Sequence, residues 1–374
     1  MKAVVSKPDL IAGITRTAGA LPQRPSSMQA LHNILLHFSE SEGAIRSTAT
    51  DLEIAVIVDT PATVQAGGEL AVPGKKLLES VREMPDGEIS LLVTERNALT
   101  LKCGRTRLTL RGTAREDYPA IPTITSEVSL QIDAPVLGEA IRRTVIAASH
   151  DEARSFLTGA NLIVNAKQTR LVATDGHRLA ISDFVLSGHK KAGADKDTDI
   201  NVIIPARILA EIAGNLPDSG TVELSIGETN VIFTLPAGTY YSRLIAEKFP
   251  DYEKIIPKAS DRKITIARQS FADALRRVSP FTNQRTQQVL LSIKSDRVIV
   301  SAETPEFGEG HDEVDATVTG TPLEISFNAR YVLDVLKVLQ DDEVMIEMGA
   351  KIAPAVFTTA KDAGYSYILM PLRG

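Results

Sequence analysis

The chain has no tryptophan, a single cysteine and only 5% aromatic residues among its 374 positions, and each scarcity removes a class of explanation. A lone Cys103 excludes an internal disulfide framework and fits a reducing, intracellular compartment, so a cytoplasmic location is expected. So few aromatics supply little for a stacking platform of the kind that holds single-stranded nucleic acid. No apolar run approaches a membrane span, and MKAVVSKPDL has no continuous apolar stretch behind its lysine, so neither a membrane partner nor a signal peptide is expected. Positive charge is also short. With 41 Lys and Arg against 47 Asp and Glu, the net −6 argues against a protein that grips nucleic acid over a broad basic surface. Any nucleic-acid role must therefore segregate its basic residues. The length points to two or three ordinary globular domains.

What is present is a repeat. Three segments open with apolar pairs at helical i, i+4 spacing, Leu10 with Ile14, Leu137 with Ile141 and Phe271 with Leu275, at offsets of 127 and 134 residues. Each then alternates like strands up to an alanine-centred stretch: STATDLEI around Ala49, LVATDGHRLAI around Ala173 and IVSAETPEF around Ala302. A second helix follows in AVPGKKLLESVREM, IIPARILAEIAGNL and SFNARYVLDVLKVL, where Leu77, Leu209 and Val332 align, as do Val81, Ala213 and Leu336. Pro85 and Pro217 end the first two, and Gln340-Asp341-Asp342 ends the third. The expected unit is β-α-β-β-β-α-β-β-β, an α+β domain with two helices against antiparallel sheet, in three copies at 1–123, 127–250 and 254–374. Proline-rich stretches near 115–127 and 247–261 read as linkers, and 187–199 as a polar surface loop.

Those offsets superimpose Arg16, Arg143 and Arg277 on the first helix, and the alignment of Leu77, Leu209 and Val332 superimposes Lys75, Arg207 and Arg330 on the second. At about 100° per residue these lie far round from the apolar pairs, pointing out of each core. One outward cation merely solvates a helix; six in register point to a shared task. The windows 7–19, 74–84, 135–148, 205–216, 268–281 and 329–340 together carry +6, which leaves −12 on the rest. Such a chain can offer its helix faces to phosphates and repel them elsewhere.

The threefold pattern, with TATDLEI at 48–54, ATDGHRLA at 173–180, FPDYEKIIP at 249–257, FNARYVLDVL at 327–336 and YILMPLR at 367–373, resembles the bacterial β sliding clamps, β subunits of DNA polymerase III, over essentially the whole chain. The resemblance implies three domains of the DNA clamp fold and a head-to-tail homodimer, a ring of pseudo-sixfold symmetry that encircles duplex DNA regardless of sequence. It implies a processivity factor that tethers the polymerase III α subunit, is opened by a clamp loader, and binds other polymerases and repair proteins through short linear peptides. It implies a non-catalytic subunit of a nucleotidyltransferase complex, with no cofactor and no metal.

Carried over position by position, the partner-peptide pocket comprises Leu157, Thr174, Gly176, His177, Arg178 and Leu179, then Pro250, Lys254 and Ile255, then Asn328, Tyr331, Ile352, Pro354, Leu369, Met370, Pro371, Leu372 and Arg373. Lys254 keeps the basic charge usual in the family, whereas Thr286 is polar near a position that is usually aromatic, and the last residue is Gly374. For DNA contact the resemblance adds Arg24, His150, Arg154 and Phe156 to the six helix cations. For the ring interface it sets Leu108 and Leu110 against Pro280 and Phe281 of the other chain.

An enzyme reading centres on Asp175, His177 and Arg178, which look like a catalytic cluster. The equivalent stretches TATDLEI and SAETPEF lack the His and Arg, and no phosphate-binding glycine loop or metal-ligand spacing accompanies them. A different alternative is a paralogous clamp-fold scaffold, or a second clamp that tolerates an inhibitor.

Overall fold

The computed structural model describes residues 1–94, 96–120, 128–191 and 199–372. Its α-helices are α1 (Lys7–Ala18), α2 (Gly74–Glu83), α3 (Ala134–Val145), α4 (Ala206–Ala213), α5 (Arg268–Val278) and α6 (Ala329–Val338). Their starts are chemically marked. Ser6 caps α1 by accepting from the Asp9 amide at 3.2 Å, with Pro8 in the first turn, and Asn328 caps α6 by accepting from the amides of Arg330 and Tyr331. Leu10, Gly13, Ile14 and Thr17 form the buried stripe of α1. Gly13 is required there by close approach: a Cβ would stand 2.2 Å from Thr60 Oγ1 on the strand Ile54–Pro61.

Among the described residues, four or five strands lie between the two helices of each repeat, where three were expected. Gly68–Pro73, Ile200–Pro205 and Leu323–Asn328 run straight into the second helix without a turn residue, so the sequence merges strand with helix start. Gly188–Lys191 falls where a polar loop was expected, yet pairs antiparallel with Val128–Asp133. The remainder of that loop, 192–198, lies outside the described residues.

The chain divides into two compact units. The first comprises Met1–Pro135, Leu186–Ala194 and Glu211–Leu244. It holds a five-stranded sheet ending in the edge strand Thr106–Arg111, and a nine-stranded sheet. In the latter, Gly238–Arg243 of the second repeat pairs antiparallel with Ile54–Pro61 of the first, Tyr241 opposite Ala55. The second unit comprises Val136–Val185, Asp195–Ala210 and Ile245–Gly374, built on a twelve-stranded sheet. Here Tyr365–Leu369 of the third repeat pairs with Arg178–Asp183 of the second, Ile368 opposite Leu179. Sheets thus run across the repeat boundaries.

The first halves of both linkers are packed covers. Tyr118, 3% exposed, lies on Leu35 and Ala71 and donates its hydroxyl to the Thr48 carbonyl at 3.2 Å. Phe249 and Tyr252 pack likewise with Val172, Leu179, Ile203 and Ile368. Residues 121–127 of the first linker lie outside the described residues.

Candidate functional site

The hairpin Thr174–Arg178 is built by side chains folding back on their own backbone. Asp175 Oδ1 accepts from the amides of His177 and Arg178 at 2.9 and 3.0 Å, Thr174 Oγ1 donates to the Arg178 carbonyl, and Gly176 supplies the φ of +91° that the turn needs. The first repeat makes the same turn with Thr50 and Asp51, but places Leu52 in the left-handed position at φ +79°. Asp175 is therefore a turn-forming residue first. The resemblance of ATDGHR to a catalytic cluster has this structural origin.

Arg178 belongs to the foundation of the site. Its side chain is 7% exposed, pairs with Asp175 at 3.0 Å and Asp334 at 2.6 Å, and lies 4.1 Å from the centre of the Tyr331 ring. Burial alone would lower its pKa, but Tyr367, Asp334 and Asp175 outweigh that and hold it above the usual guanidinium value. The Tyr367 hydroxyl donates to the Tyr331 carbonyl at 3.0 Å, and burial pushes its own pKa up. The hub thus locks α6 to the strand Tyr365–Leu369.

Above this foundation sit exposed groups. The Met370 amide donates to the His177 carbonyl at 2.9 Å, which sets Met370 beside an exposed His177. Pro354 precedes Ala355, which faces Leu369 across the sheet. Pro250, Lys254 and Ile255 belong to the cover anchored by Phe249 and Tyr252 on Leu179 and Ile368. Leu157, Thr174, Leu179 and Leu369 are buried, whereas Ile255, Met370 and Ile352 are 42%, 37% and 80% exposed. Asn328 is occupied in capping α6, and its Nδ2 donates to the Thr286 carbonyl at 3.0 Å. Leu372 is half-buried, its amide donating to the Ser326 carbonyl at 2.8 Å, and Pro371 precedes it; Arg373 lies outside the described residues. Sequence reasoning missed Asp334, and took Tyr367 and Ile368 only as part of YILMPLR without assigning them a place in the site. The signal was available in YVLDVL, where a carboxylate interrupts the apolar run of α6.

The basic positions fare unequally. Lys75, Arg330, Arg24, His150 and Arg154 are exposed, although Arg154 also donates to Asp151 at 3.0 Å. Arg277 is exposed and paired with Asp312, and Arg207 is half-buried. Arg16 is half-buried close enough to Tyr240 to oppose the burial that pushes that phenol up to about 12. Arg143 departs from expectation: it points inward, 9% exposed, paired with Glu139 at 2.7 Å and with Asp362, its guanidinium 5.2 Å from the Tyr365 ring centre. The carboxylates contributed by α3 and the 359–364 turn draw it in, which helical phase alone does not reveal. Phe156 packs against the Leu179 and Phe249 cluster and does not stand on a basic helix face.

At the edges, Leu108 and Leu110 are half-exposed on Thr106–Arg111, whose outer backbone is unpaired among the described residues. Gly308–Asp315 is equally open on one side. Phe281 lies over Gly310, where a Cβ would come within 2.5 Å of its ring. Pro280 is exposed beside it.

Comparison with known proteins gives this geometry its context. Models of the DNA polymerase III beta subunit match in series, the N-terminal domain over residues 1–122, the central domain over 131–251 and the C-terminal domain over 253–373. A sliding clamp from Bartonella birtlesii, solved bound to griselimycin, is 31% identical with a TM-score of 0.90, each chain covered 100%. A DNA polymerase sliding clamp from Bacillus subtilis is 27% identical with a TM-score of 0.90, covering 100% of this chain and 99% of that one. The beta sliding clamp of a Synechocystis species is 29% identical over 389 residues, 100% of this chain and 99% of the relative. Three consecutive domains of the DNA clamp fold define a clamp. The chain belongs to the β sliding clamp family of DNA polymerase III, and its function is that of a processivity clamp in DNA replication. No described helix is long and apolar enough to cross a membrane.

Proposed function

We propose that two copies of this chain close head to tail into a ring around duplex DNA, and that polymerase and loader segments dock on the cleft above Arg178. The observation that carries the ring is the pair of open, oppositely charged strand edges. Thr106–Arg111 brings Arg107 and Arg111, with Arg105 just before it, while the other edge brings Glu309, Asp312, Glu313 and Asp315. Opposite potentials steer association and fix register. The repeat supplies the register. Ala55, Leu179 and Glu309 occupy one hairpin position, opposite Thr50, Thr174 and Glu303. Tyr241, Ile368 and Thr109 occupy one position on the other side, opposite Ile232, Val356 and Thr100. Since Ala55 faces Tyr241 and Leu179 faces Ile368, Thr109 should face Glu309 of the second copy, with Leu108 opposite Gly310 beneath Phe281.

A heterologous contact of this kind closes when its rotation permits, giving a finite ring. Within the ring, exposed Lys75, Arg330, Arg24 and Arg277 supply weak, sequence-blind phosphate contacts, so that topology replaces affinity. A polymerase tethered to such a ring meets the primer end at high effective concentration. The chain itself acts without catalysis, in the cytoplasm, and relies on an external loader to open. The test is the double variant Thr109→Cys with Glu309→Cys. Oxidation should cross-link it as a dimer, whereas Thr109→Cys with Asp312→Cys, three residues out of register, should not; equal yields from both would overturn the pairing. Cys103 is buried and does not compete.

A further inference from the structure

We propose that the cavity beside Asn161 is an accessory pocket that accepts an arginine side chain from the segment bound at the partner cleft, an inference that rests on that cleft reading. The cavity has a volume of about 500 Å³ and is walled by Ile163, Ile203, Phe249 and Pro250. Pro250 belongs to the cleft residues as well, so a bound segment can reach both. At its floor lies Asn161, 2% exposed, whose Oδ1 has no hydrogen-bond partner among the described residues. A buried acceptor left unmade is costly, and such groups call for an explanation.

The repeat shows that the fold does not need an amide there. Asn161 faces Val172 and Ile203 across its neighbouring strands; in the first repeat Leu35 faces Thr48 and Ala71 in the same way, and in the third Leu290 faces Ser301 and Ser326. Leu35, Ala71 and Tyr118 form an apolar cluster under the first linker. The corresponding place under the second linker has Asn161, Ile203 and Tyr252 around an open cavity. An acceptor has thus replaced leucine where the linker leaves room.

Charge selects the occupant. The rim carries Glu247, Asp251 and Glu253 against Lys248; Lys254 pairs with Asp251 at 2.8 Å, and the remaining Glu247 and Glu253 leave an excess of negative charge around a floor that needs an N–H donor. A guanidinium meets both demands, because its fork of donors reaches the amide oxygen and a rim carboxylate together while its flat faces rest on apolar walls. An ammonium is more strongly hydrated and loses more on entering.

The experiment uses the full-length protein and fluorescence anisotropy with labelled peptides that share a Gln, Leu and Phe anchor. Flanking positions carry arginine, its neutral isostere citrulline, or lysine. Arginine at one flanking position should bind about tenfold tighter than citrulline, through one charge-assisted contact. Asn161→Leu, which installs the residue of the other two repeats, should remove that advantage and leave the citrulline peptide unchanged. Asn161→Asp should enlarge it. An arginine advantage that survives in Asn161→Leu, or is matched by lysine, overturns the assignment. If all anchor peptides bind alike, the accessory pocket fails while the cleft stands; if none binds, both fall.

Discussion

Replacing Arg178 with methionine tests whether the guanidinium is foundation or ligand. The change keeps a long apolar stem but removes the charge that neutralises Asp175 and Asp334, whose side chains are 11% and 31% exposed. Breaking a buried pair by deleting one partner costs roughly 3–5 kcal/mol, because the remaining charge is left desolvated. Loss of the contact with the Tyr331 ring adds about 1 kcal/mol. Asp334 is open enough to recover water, so the lower half of that range applies to the pair, and with the ring contact the loss is about 4–5 kcal/mol in all. For a unit of this size that lowers the melting temperature by roughly 10 °C. Differential scanning calorimetry on the purified protein reads the effect. Adding Asp175→Asn, which keeps the turn acceptor, and Asp334→Leu should recover at least half of the loss, because no bare carboxylate then remains. A single variant melting within a degree or two of the parent, or a triple variant no better than the single, would refute the hub.

Other outcomes follow from the same geometry. Leu52→Gly should raise stability by about 1 kcal/mol by releasing a left-handed leucine, and Gly176→Leu should lower it by at least as much; paired thermal melts check the opposite signs. Lys75→Glu with Arg330→Glu should shorten DNA retention on circular primed templates without altering the dimer in sedimentation. Arg143→Glu should instead destabilise the fold, since it places a third carboxylate beside Glu139 and Asp362. Removing Met370 to Gly374 should abolish most binding of an anchor peptide while the ring stays closed, with calorimetric titration as the readout.

The repeat and its helices were legible because buried apolar pairs at i, i+4 leave a direct trace, and α1, α3 and α5 begin at the offsets those pairs give. Strands that pass into helices without a turn were not legible, since their apolar residues continue the same run. Helical phase located the basic positions but not their partners. Arg143 is drawn inward by Asp362, over two hundred residues away, and only folding brings the two together. For the proposed cleft, sequence named a set of motif residues but not what their side chains hold within the fold: Arg178 pairs with Asp175 and Asp334, and Asn328 caps a helix. Asp334 went unnoticed because a lone carboxylate on a helix is ordinary until its partner is known.

Because strands of neighbouring repeats share continuous sheets, the units that recur in sequence are not units that can be excised. A fragment ending near residue 123 would keep Ile54–Pro61 but lose Gly238–Arg243, baring a long apolar edge. One beginning near 254 would uncover the edge of Tyr365–Leu369, with Tyr365 at its start and Tyr367 at its centre. Edges of that kind recruit any available strand. Isolated repeats should therefore behave as sticky pieces rather than small soluble domains, and a protease that nicks a linker should leave the severed parts attached through their sheet hydrogen bonds.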